Sequence, residues 1–380
     1  MNILNTKDEI VMSLVHYFVT EENYSPINVQ GAKNEIWLEN LDAPYKIIRI
    51  NSEYIHNDEQ LNMDMFKMNY IIKQIKKKTL SFKMNVLDIC LDLGSSVKAD
   101  NTPKNIEVIK VKSIDDIKGN DNLKLAFPKI ETNNFITPTS IDKIIHVTDD
   151  INKKTEKENI KYEDVFKPKK IVVTWIIIGI CILMYIISLL LTDNFNLSLL
   201  LLGANNRELV LKGDIYRLIT CAFLHGSLIH LLVNMYSLYI IGNQVESYIG
   251  KWRYVVIYLL SAIMGSLLSI TIKGGTISIG ASGAIFGLMG SLLYFGYHYR
   301  LYLSNTLTTQ IVPVILVNLF LGFSMNGIDN AAHIGGLIGG YLATMIVGIK
   351  YKSTKSETIN GLIVYTLLTV FLVYILLKVV

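Results

Sequence analysis

The stretch "SIGASGAIFGLMG", residues 278–290, places a serine at the head of an apolar run that is rich in glycine. Ser282 is followed by Gly283, and further glycines recur at Gly287 and Gly290. Polar groups are costly inside a bilayer, so a hydroxyl at the start of such a run indicates function by default. The neighbours of this serine therefore guide both the fold and the chemistry that the sequence predicts.

The chain of 380 residues divides into a polar half and an apolar half, although 51% of all its residues are hydrophobic. Residues 1–170 are polar and charged, and long apolar stretches recur from Ile171 onward. Because an apolar run of about 18 residues predicts a membrane-spanning helix, we expect a polytopic all-α membrane bundle preceded by a soluble α/β domain. The predicted divisions are a domain at 1–150, a linker at 151–170, a six-helix core at 171–350 and a further helix at 351–380.

Seven transmembrane helices are predicted from the apolar runs. They cover roughly residues 171–192, 227–249, 253–272, 281–299, 307–325, 330–349 and 360–380. Lysine and arginine accumulate in cytoplasmic loops, and four basic clusters fall on one side of these spans: Lys167, Lys169 and Lys170; Lys251 and Arg253; Arg300; and Lys350, Lys352 and Lys355. This pattern predicts a cytoplasmic N-terminus and an extracytoplasmic C-terminus in the cell membrane.

Charge and cysteine content narrow the classes of partner. The formal net charge is +4, which we attribute to membrane orientation rather than to nucleic-acid binding. The three cysteines, Cys90, Cys181 and Cys221, are too few and too scattered for a disulfide framework or a CxxC metal site. We therefore expect contact with the lipid bilayer, no nucleic acid, no metal and no cofactor. The start of the sequence shows no signal-peptide pattern, so the first domain is expected in the cytoplasm.

Three of the predicted spans carry polar side chains that are unusual in lipid. The second contains "HGSLIHLLVN" with His225, His230 and Asn234, the fourth begins at Ser282, and the sixth contains His333. Ser282 precedes the cytoplasmic Arg300 by 18 residues, and His333 precedes the cytoplasmic Lys350 by 17 residues. At 1.5 Å per residue, the serine and the histidine lie at one level, about 25 Å above the inner boundary.

Small residues favour close contact between the spans that carry these two groups. The fourth span has glycines at 283, 287 and 290, and the sixth has "NAAHIGGLIGG", residues 330–340. Glycines three or four residues apart let transmembrane backbones approach closely. Such faces can exist for packing alone, but here they accompany a serine and a histidine at matched depth. The sequence therefore predicts a Ser282–His333 pair in which the histidine takes the proton of the hydroxyl.

Other polar groups supply candidate hydrogen-bond donors beside this pair. Ser282 opens its helix, where backbone N–H groups are unpaired and can stabilise an oxyanion. Asn234 and His230 lie four residues apart on one helix face and are either further donors or ordinary interhelical partners. Asp329 is expected to cap the sixth span, and His225 to orient the adjacent loop. Phe286 is expected either to stack on His333 or to be core.

The three motifs together resemble the rhomboid intramembrane serine proteases. They are "HGSLIHLLVNMYSLYIIGNQVE", "GASGAIFGLMG" and "AAHIGGLIGG", and the resemblance covers about residues 171–350. It implies that Ser282 is the nucleophile and His333 the general base. It also implies an oxyanion hole made by His230, Asn234 and the Ser282 backbone. The supporting residues are Gly280, Gly283, Phe286, His225 and Gly336.

The resemblance also covers positions outside the motifs. Tyr216 and Arg217 stand where the family has a Trp-Arg pair, so the tyrosine is a departure. Glu246 matches a family glutamate, and the seventh span matches a six-plus-one layout. The implied activity is intramembrane serine endopeptidase activity on transmembrane segments of other proteins. Such a substrate would come in sideways near the fifth span and the loop around Ser324–Asn330, and would be cut near the outer surface.

The polar half has the pattern of a mixed α/β domain. Strands are predicted at "IWLEN", "YKIIRIN", "NVLDICLDL" and "IEVIKVK", and an amphipathic helix at residues 64–78, with 131–166 as a polar linker. The lysines of the helix form either a solvated face or a surface attracted to an anionic leaflet. Glu53, His56, Asp88 and Asp92 have no diagnostic metal spacing, and no glycine-rich phosphate loop is present.

Two other functions compete with proteolysis. A catalytically inactive, rhomboid-like protein that binds membrane clients would share the fold, but the presence of both Ser282 and His333 argues against it. A transporter usually shows inverted repeats and interrupted helices around a midplane site, and no repeat is evident here.

Overall fold

The computed structural model describes residues 5–29, 31–99, 102–273, 277–324 and 327–378. The chain separates into two compact units, Met1–Tyr162 and Glu163–Val380. A helix, α5, runs without a break across the boundary between them. The predicted linker is therefore helical up to residue 166.

The first unit is built on a five-stranded sheet with the order β1-β2-β3-β4-β5. Its strands are Ser25–Ile27, Glu35–Glu39, Ile47–Asn51, Val86–Cys90 and Ile106–Lys110. The first three strands pair antiparallel, whereas β3, β4 and β5 are parallel, with Ile47 opposite Val86. The four strands predicted from the sequence are confirmed, and the short strand β1 is an addition to them.

Helices cover both faces of this sheet, which explains why every residue of β3 and β4 is buried. The helices are α1 (Thr6–Thr20), α2 (Asp58–Lys78), α3 (Ile114–Gly119), α4 (Asp121–Ala126) and α5 (Ile141–Phe166). Leu14 and Phe18 of α1 pack on the face that carries Ile48 and Leu87. On the opposite face, Met65, Met68 and other residues of α2 pack against Ile47 and Val86. The predicted amphipathic helix is confirmed and begins six residues earlier.

The second unit is helical. Its elements are α6 (Val173–Leu190), α7 (Phe195–Leu201), α8 (Arg207–Leu211), α9 (Arg217–Thr220), α10 (Leu228–Ile249), α11 (Lys251–Lys273), α12 (Ser282–His298), α13 (Arg300–Thr306), a π-helical turn (Leu307–Ile311), α14 (Val312–Ser324), α15 (Asn330–Val347) and α16 (Lys355–Lys378). Each of the seven predicted spans contains a helix. Residue 325 of the fifth predicted span and residues 379 and 380 of the seventh lie outside the described part.

Helix length separates these spans into two groups. Among the described residues, α6, α11, α15 and α16 are each long and apolar enough to cross a membrane. A fifth span results if Arg217–Phe223 and α10, which meet at a bend of 95°, are counted as one. Helix α12 has 17 residues. The apolar helical stretch Thr309–Ser324, which combines the end of the π-helical turn with α14, is also short. The chain is thus a multi-pass membrane protein, and the number of seven spans stays a prediction.

Helix α12 lies at the centre of the second unit, because nearly all of its side chains are buried. Helix α15 packs against both α12 and α11 through its glycines, and α16 adds Tyr365 and Leu372 to the apolar cluster around Met264. The outer side chains of α16 are large and exposed, for instance Leu367 and Phe371. This is the distribution expected of a helix whose outer face meets lipid.

A buried charged cluster lies under α2 in the first unit. Arg49 of β3 donates two hydrogen bonds to Asp64, at 2.6 and 2.7 Å, and one to Glu35 at 2.8 Å. Its guanidinium also lies 3.5 Å from the carboxylate of Asp88. Asp88 is fully buried, and burial raises its pKa from the ordinary value of 3.8 to about 6. Three carboxylates therefore surround one cation in a place that is shielded from water.

The raised pKa of Asp88 predicts a component of the first unit's stability that is lost as the pH rises from about 4 to about 6. In this window the unfolded chain gives up the Asp88 proton while the folded chain retains it, which costs up to about 3 kcal/mol. We expect Asp88→Asn to lack this component. Hydrogen exchange of the β3 and β4 amides in the full chain, corrected for intrinsic rates, measures the difference in unfolding free energy.

The matched control is Asp42→Asn, which changes an exposed carboxyl in a turn. Its unfolding free energy should follow wild type across the pH range. Parallel pH profiles for Asp88→Asn and wild type would contradict the predicted role of Asp88.

Candidate active site

Ser282 and His333, at the starts of α12 and α15, are in direct hydrogen-bond contact. The distance from Ser282 Oγ to His333 Nε2 is 2.9 Å. His333 is buried, and its other ring nitrogen, Nδ1, has no hydrogen-bond partner among the described residues. Phe286, one turn after Ser282, stacks on the imidazole with ring centroids 4.2 Å apart and an interplanar angle of 11°. The hydroxyl thus faces a nitrogen that can accept its proton, and the ring is held by an aromatic face.

Glycines set the distance between the two helices. A Cβ on Gly336 would overlap the carbonyl oxygen of Gly283, and a Cβ on Gly340 would overlap that of Gly287. The backbones of α12 and α15 therefore touch along two successive turns, with no side chain between them. The predicted small-residue contact is confirmed.

The adjacent glycines of α15 serve a different neighbour. A Cβ on Gly335 would lie 2.7 Å from the carbonyl oxygen of Met264 in α11, and one on Gly339 would lie 2.6 Å from the Cβ of Met264. Helix α15 is thus held on two sides, by α12 and by α11. This double contact fixes the height and rotation at which His333 faces Ser282.

A tight turn at Gly280 brings His230 to the serine. Gly280 has φ +126°, a conformation that disfavours residues with a side chain. A Cβ at this position would also lie 2.8 Å from His230 Nε2 and 3.8 Å from Ser282 Oγ. The imidazole of His230 and the serine hydroxyl therefore border the same small space, which only a glycine leaves free.

Asn234 and His225 complete the polar surroundings. Asn234 is buried on α10 and donates from its side-chain amide to the carbonyl oxygen of His230 at 2.9 Å. His225 is fully buried, packs edge-to-face on His230 with centroids 5.1 Å apart, and accepts a long hydrogen bond of 3.5 Å from the N–H of Ala281. His225 thus contacts the turn that carries Ser282, in agreement with its expected contact with a loop.

Asp329 joins three segments around the pair. The sequence predicts its role as a helix cap but not its other two contacts. Its side chain caps α15 by accepting from the N–H of Ala332 at 3.1 Å, as predicted. It also accepts from Ser269 Oγ at 2.5 Å and from Ser278 Oγ at 2.7 Å. The Lys273 ammonium lies 3.5 Å away. These partners tie the end of α11 and the turn before Ser282 to the start of the His333 helix, and no local motif marks them in the sequence.

Two other charged residues brace the unit away from the pair. Arg217 is buried, donates to the carbonyl oxygens of Leu200 and Ala204 at 2.7 and 3.1 Å, and pairs with Asp214 at 2.9 Å. Its guanidinium also lies over the ring of Tyr216, at 5.4 Å from the centroid. The tyrosine that departs from the family pattern thus still packs against the arginine.

Glu246 acts at the opposite end of α10. Its carboxylate accepts the backbone N–H groups of Val172, Val173 and Thr174 at 2.8, 2.9 and 2.8 Å and the Thr174 hydroxyl at 2.9 Å. It therefore satisfies free backbone donors at the start of α6, where the N-cap residue Val172 makes no side-chain hydrogen bond.

The remaining sequence predictions concern ligands and the access loop. Within the described ranges, no three histidine, cysteine, aspartate or glutamate side chains are grouped so as to hold a metal ion. Of the predicted access loop around Ser324–Asn330, residues 325 and 326 lie outside the described part of the chain. On the fifth predicted span, Phe320 and Phe323 of α14 are largely exposed.

Ser282 and His333 are joined by a hydrogen bond between two helices that pack through glycines. A serine–histidine pair inside a helical membrane bundle is the arrangement of an intramembrane hydrolase-like protein. Residues 212–350 match the family model of the Rhomboid domain. This match includes His225, His230, Asn234, Ser282 and His333. The chain therefore contains a Rhomboid domain over these residues.

Similar proteins include both a protease and an inactive relative. The chain is 27% identical over 357 residues to "Rhomboid protease GluP" of Bacillus subtilis, an alignment that covers 90% of this chain and 70% of that protein. It is 39% identical over 158 residues to "RHOMBOID-like protein 4" of Arabidopsis thaliana, covering 41% of this chain and 40% of the relative. It is 37% identical over 138 residues to "Inactive RHOMBOID-like protein 8" of the same plant, covering 36% and 39%. The chain thus spans less than half the length of these two plant relatives.

The contact between α12 and α15 predicts that Gly340→Ala destabilises the second unit. The added methyl group would overlap the Gly287 carbonyl oxygen, and overpacking of this kind typically costs about 1–3 kcal/mol. We expect a lower thermal unfolding midpoint in detergent.

Gly179→Ala in α6 is the matched control, because a Cβ at Gly179 meets no atom within 4 Å. The same added methyl group should leave the midpoint unchanged or raise it through better helix propensity. Equal midpoints for the two variants would show that the glycine contact does not hold the helices together.

Proposed function

We propose that the protein is an intramembrane serine endopeptidase that cleaves transmembrane segments of other proteins. The proposal rests on one observation, the 2.9 Å contact between Ser282 Oγ and His333 Nε2. The Rhomboid domain match over residues 212–350 and the similarity to "Rhomboid protease GluP" support it.

In the proposed reaction, Ser282 Oγ attacks the carbonyl carbon of the scissile peptide bond while His333 Nε2 takes the hydroxyl proton. The tetrahedral intermediate then collapses, the C–N bond breaks, and the imidazolium gives its proton to the leaving amine. Water then attacks the acyl carbon while His333 takes its proton, and the imidazolium returns that proton to Ser282 Oγ as the ester bond breaks. Two residues suffice for this proton transfer, and the stacked ring of Phe286 replaces a third group in keeping the imidazole oriented.

The oxyanion of that intermediate needs donors on the side of Ser282 that faces Gly280. We propose that the backbone N–H groups at the start of α12, together with His230 and Asn234, supply them. His230 supports this role because its Nε2 borders the same space as Ser282 Oγ. Asn234 uses one amide hydrogen for the His230 carbonyl, which leaves its second amide hydrogen as a possible donor to a substrate.

The substrate must reach this pair through the bundle. We propose that a transmembrane segment comes in beside α14 and is cut near the outer face, with the N-terminus of the enzyme in the cytoplasm. A peptide bond in a helix is shielded by its own hydrogen bonds, so the segment has to unwind locally. Glycine and other weak helix formers near the scissile bond lower that cost by up to about 1 kcal/mol per residue. In this proposal residues 171–350 form the protease core and 351–380 an added span.

A rhomboid-like protein that holds membrane clients without cutting them is the second candidate. It is favoured by the similarity to a relative named "Inactive RHOMBOID-like protein 8". The two candidates share the fold and differ in one property, the reactivity of Ser282. Direct chemical labelling of that hydroxyl separates them without knowledge of the substrate.

We expect wild type in detergent to be labelled by a fluorophosphonate and Ser282→Ala to give no label, because only an activated hydroxyl attacks the phosphorus. His333→Ala should label at least about 10³-fold more slowly, since the proton acceptor is gone. The variant Ser291→Ala is the matched control, because Ser291 is a buried serine on the same helix, and it should label as wild type does. Equal labelling of wild type and Ser282→Ala would overturn the proposal.

The donor assignment predicts a separate effect on turnover. Asn234→Ala or His230→Ala should lower kcat on a transmembrane test substrate in proteoliposomes by roughly 10²-fold, the usual effect of losing one oxyanion donor. KM should change little, since the donors act on the intermediate. Asn243→Ala, on the same helix and two and a half turns further on, is the control and should keep kcat near wild type.

A further inference from the structure

The exposed side of α2 in the first unit carries an apolar and basic surface. Its central residues are Met63, Phe66, Tyr70, Lys73 and Lys77, which follow one another at helical spacing and are all exposed. We call this set the α2 outer face. It lies opposite the side of the helix that carries Met65, Met68 and Ile72 and packs on the sheet.

The apolar half of this face is unusually open. The exposed fractions are 68% for Met63, 78% for Phe66 and 63% for Tyr70, and Phe82 in the following turn is 93% exposed. Single exposed apolar residues are common on proteins and need no explanation. Three large side chains in one row form a patch that is expected to have an occupant, and Phe82 adds a further exposed ring after the end of the helix.

The charge along residues 66–83 has one sign, whereas the exposed Glu59 lies one turn before Met63 on the same helix face. Residues 66–83 contain six lysines and no aspartate or glutamate: Lys67, Lys73, Lys76, Lys77, Lys78 and Lys83. All six are exposed, and none forms an ion pair within the described part of the chain. The acid in the middle of α2, Asp64, is turned inward and bound to Arg49. Within the described part of the chain, these six ammonium groups therefore have no carboxylate partner.

We propose that the α2 outer face binds the surface of an anionic lipid bilayer. Aromatic and methionine side chains next to exposed lysines are the composition of helices that lie in a membrane interface, with the apolar groups among the acyl chains and the lysines at the headgroups. The second unit of the same chain is a membrane bundle, so the first unit is tethered close to lipid. A tether raises the effective concentration of the surface, so a weak intrinsic affinity is enough.

Lipid explains this face better than a second copy of the chain does. Two copies meeting through this face would bring like-charged lysine clusters together, which is unfavourable. An anionic surface neutralises all six lysines and accepts the aromatic rings at the same time. The proposal is independent of proteolysis, because none of these residues belongs to the site around Ser282.

The test places a nitroxide on Gln74→Cys, an exposed position beside Lys73 and Lys77. The three native cysteines are buried, which favours labelling at the new thiol. The full chain is reconstituted, one molecule per nanodisc, in pure phosphatidylcholine or in phosphatidylcholine with phosphatidylglycerol. Electron paramagnetic resonance then compares the accessibility of the nitroxide to oxygen, which concentrates in lipid, and to a water-soluble nickel complex.

We expect the phosphatidylglycerol discs alone to raise oxygen accessibility and to lower nickel accessibility at least about threefold. Lys73→Glu together with Lys77→Glu should abolish this shift, and Phe66→Ser together with Phe82→Ser should reduce it. The matched control is Lys104→Glu together with Lys129→Glu, which makes the same change of charge at exposed positions outside the face and should retain the shift.

Three results would overturn the proposal. They are a nitroxide that is accessible to the nickel complex in both lipids, an equally high oxygen accessibility in both lipids, and a control variant that loses the difference between the lipids. The first means a solvated face, the second lipid contact that does not depend on anionic headgroups, and the third a general response to net charge. Circular dichroism of each variant verifies that the fold is retained.

Discussion

The contact between the backbones of α12 and α15 is the constraint on which the site depends. Gly336 meets Gly283 and Gly340 meets Gly287 with no side chain between them. Since apolar side chains gain little by leaving lipid for protein, close packing and hydrogen bonds have to hold helices together in a bilayer. The same approach that maximises backbone packing also brings Ser282 Oγ within 2.9 Å of His333 Nε2. The same glycines therefore determine both the packing of the two helices and the distance between the serine and the histidine.

Three charged residues of the second unit satisfy backbone groups. Glu246 binds the free N–H groups at the start of α6, Arg217 binds two carbonyl oxygens, and Asp329 caps α15. Unsatisfied backbone groups are expensive away from water, so each charge stabilises a place where a helix begins or ends. Asp329 shows how such a cap reaches the site, because its contacts with Ser269 and Ser278 hold the turn that leads to Ser282.

The first unit obeys the rules of a water-soluble protein, with a sheet that is covered on both faces. The buried Arg49 lies among Glu35, Asp64 and Asp88, so three carboxylates face one cation under α2. The outer side of the same helix carries an excess of lysines, none of which forms an ion pair with the residues that the structure describes. Helix α2 thus separates acidic groups in the interior from basic groups outside, and only the outer set is available to a partner.

The sequence by itself determined the two-part organisation, the helical positions of the seven apolar segments, four strands of the sheet, and the candidates Ser282, His333, His230 and Asn234. These follow from local composition and spacing, which record hydrophobic period, glycine placement and polar residues in apolar runs. The composition of 131–166 predicts a polar linker, yet residues 141–166 form helix α5. A helix needs only a few apolar residues on one side to pack, and Val147 and Val165 of α5 are buried. Only the tertiary structure decided which nitrogen of His333 meets the serine, that His230 borders the space beside Gly280, and that Ser269 and Ser278 converge on Asp329. Those contacts join residues 50 or more positions apart, and no local pattern specifies which distant atoms will meet when helices pack.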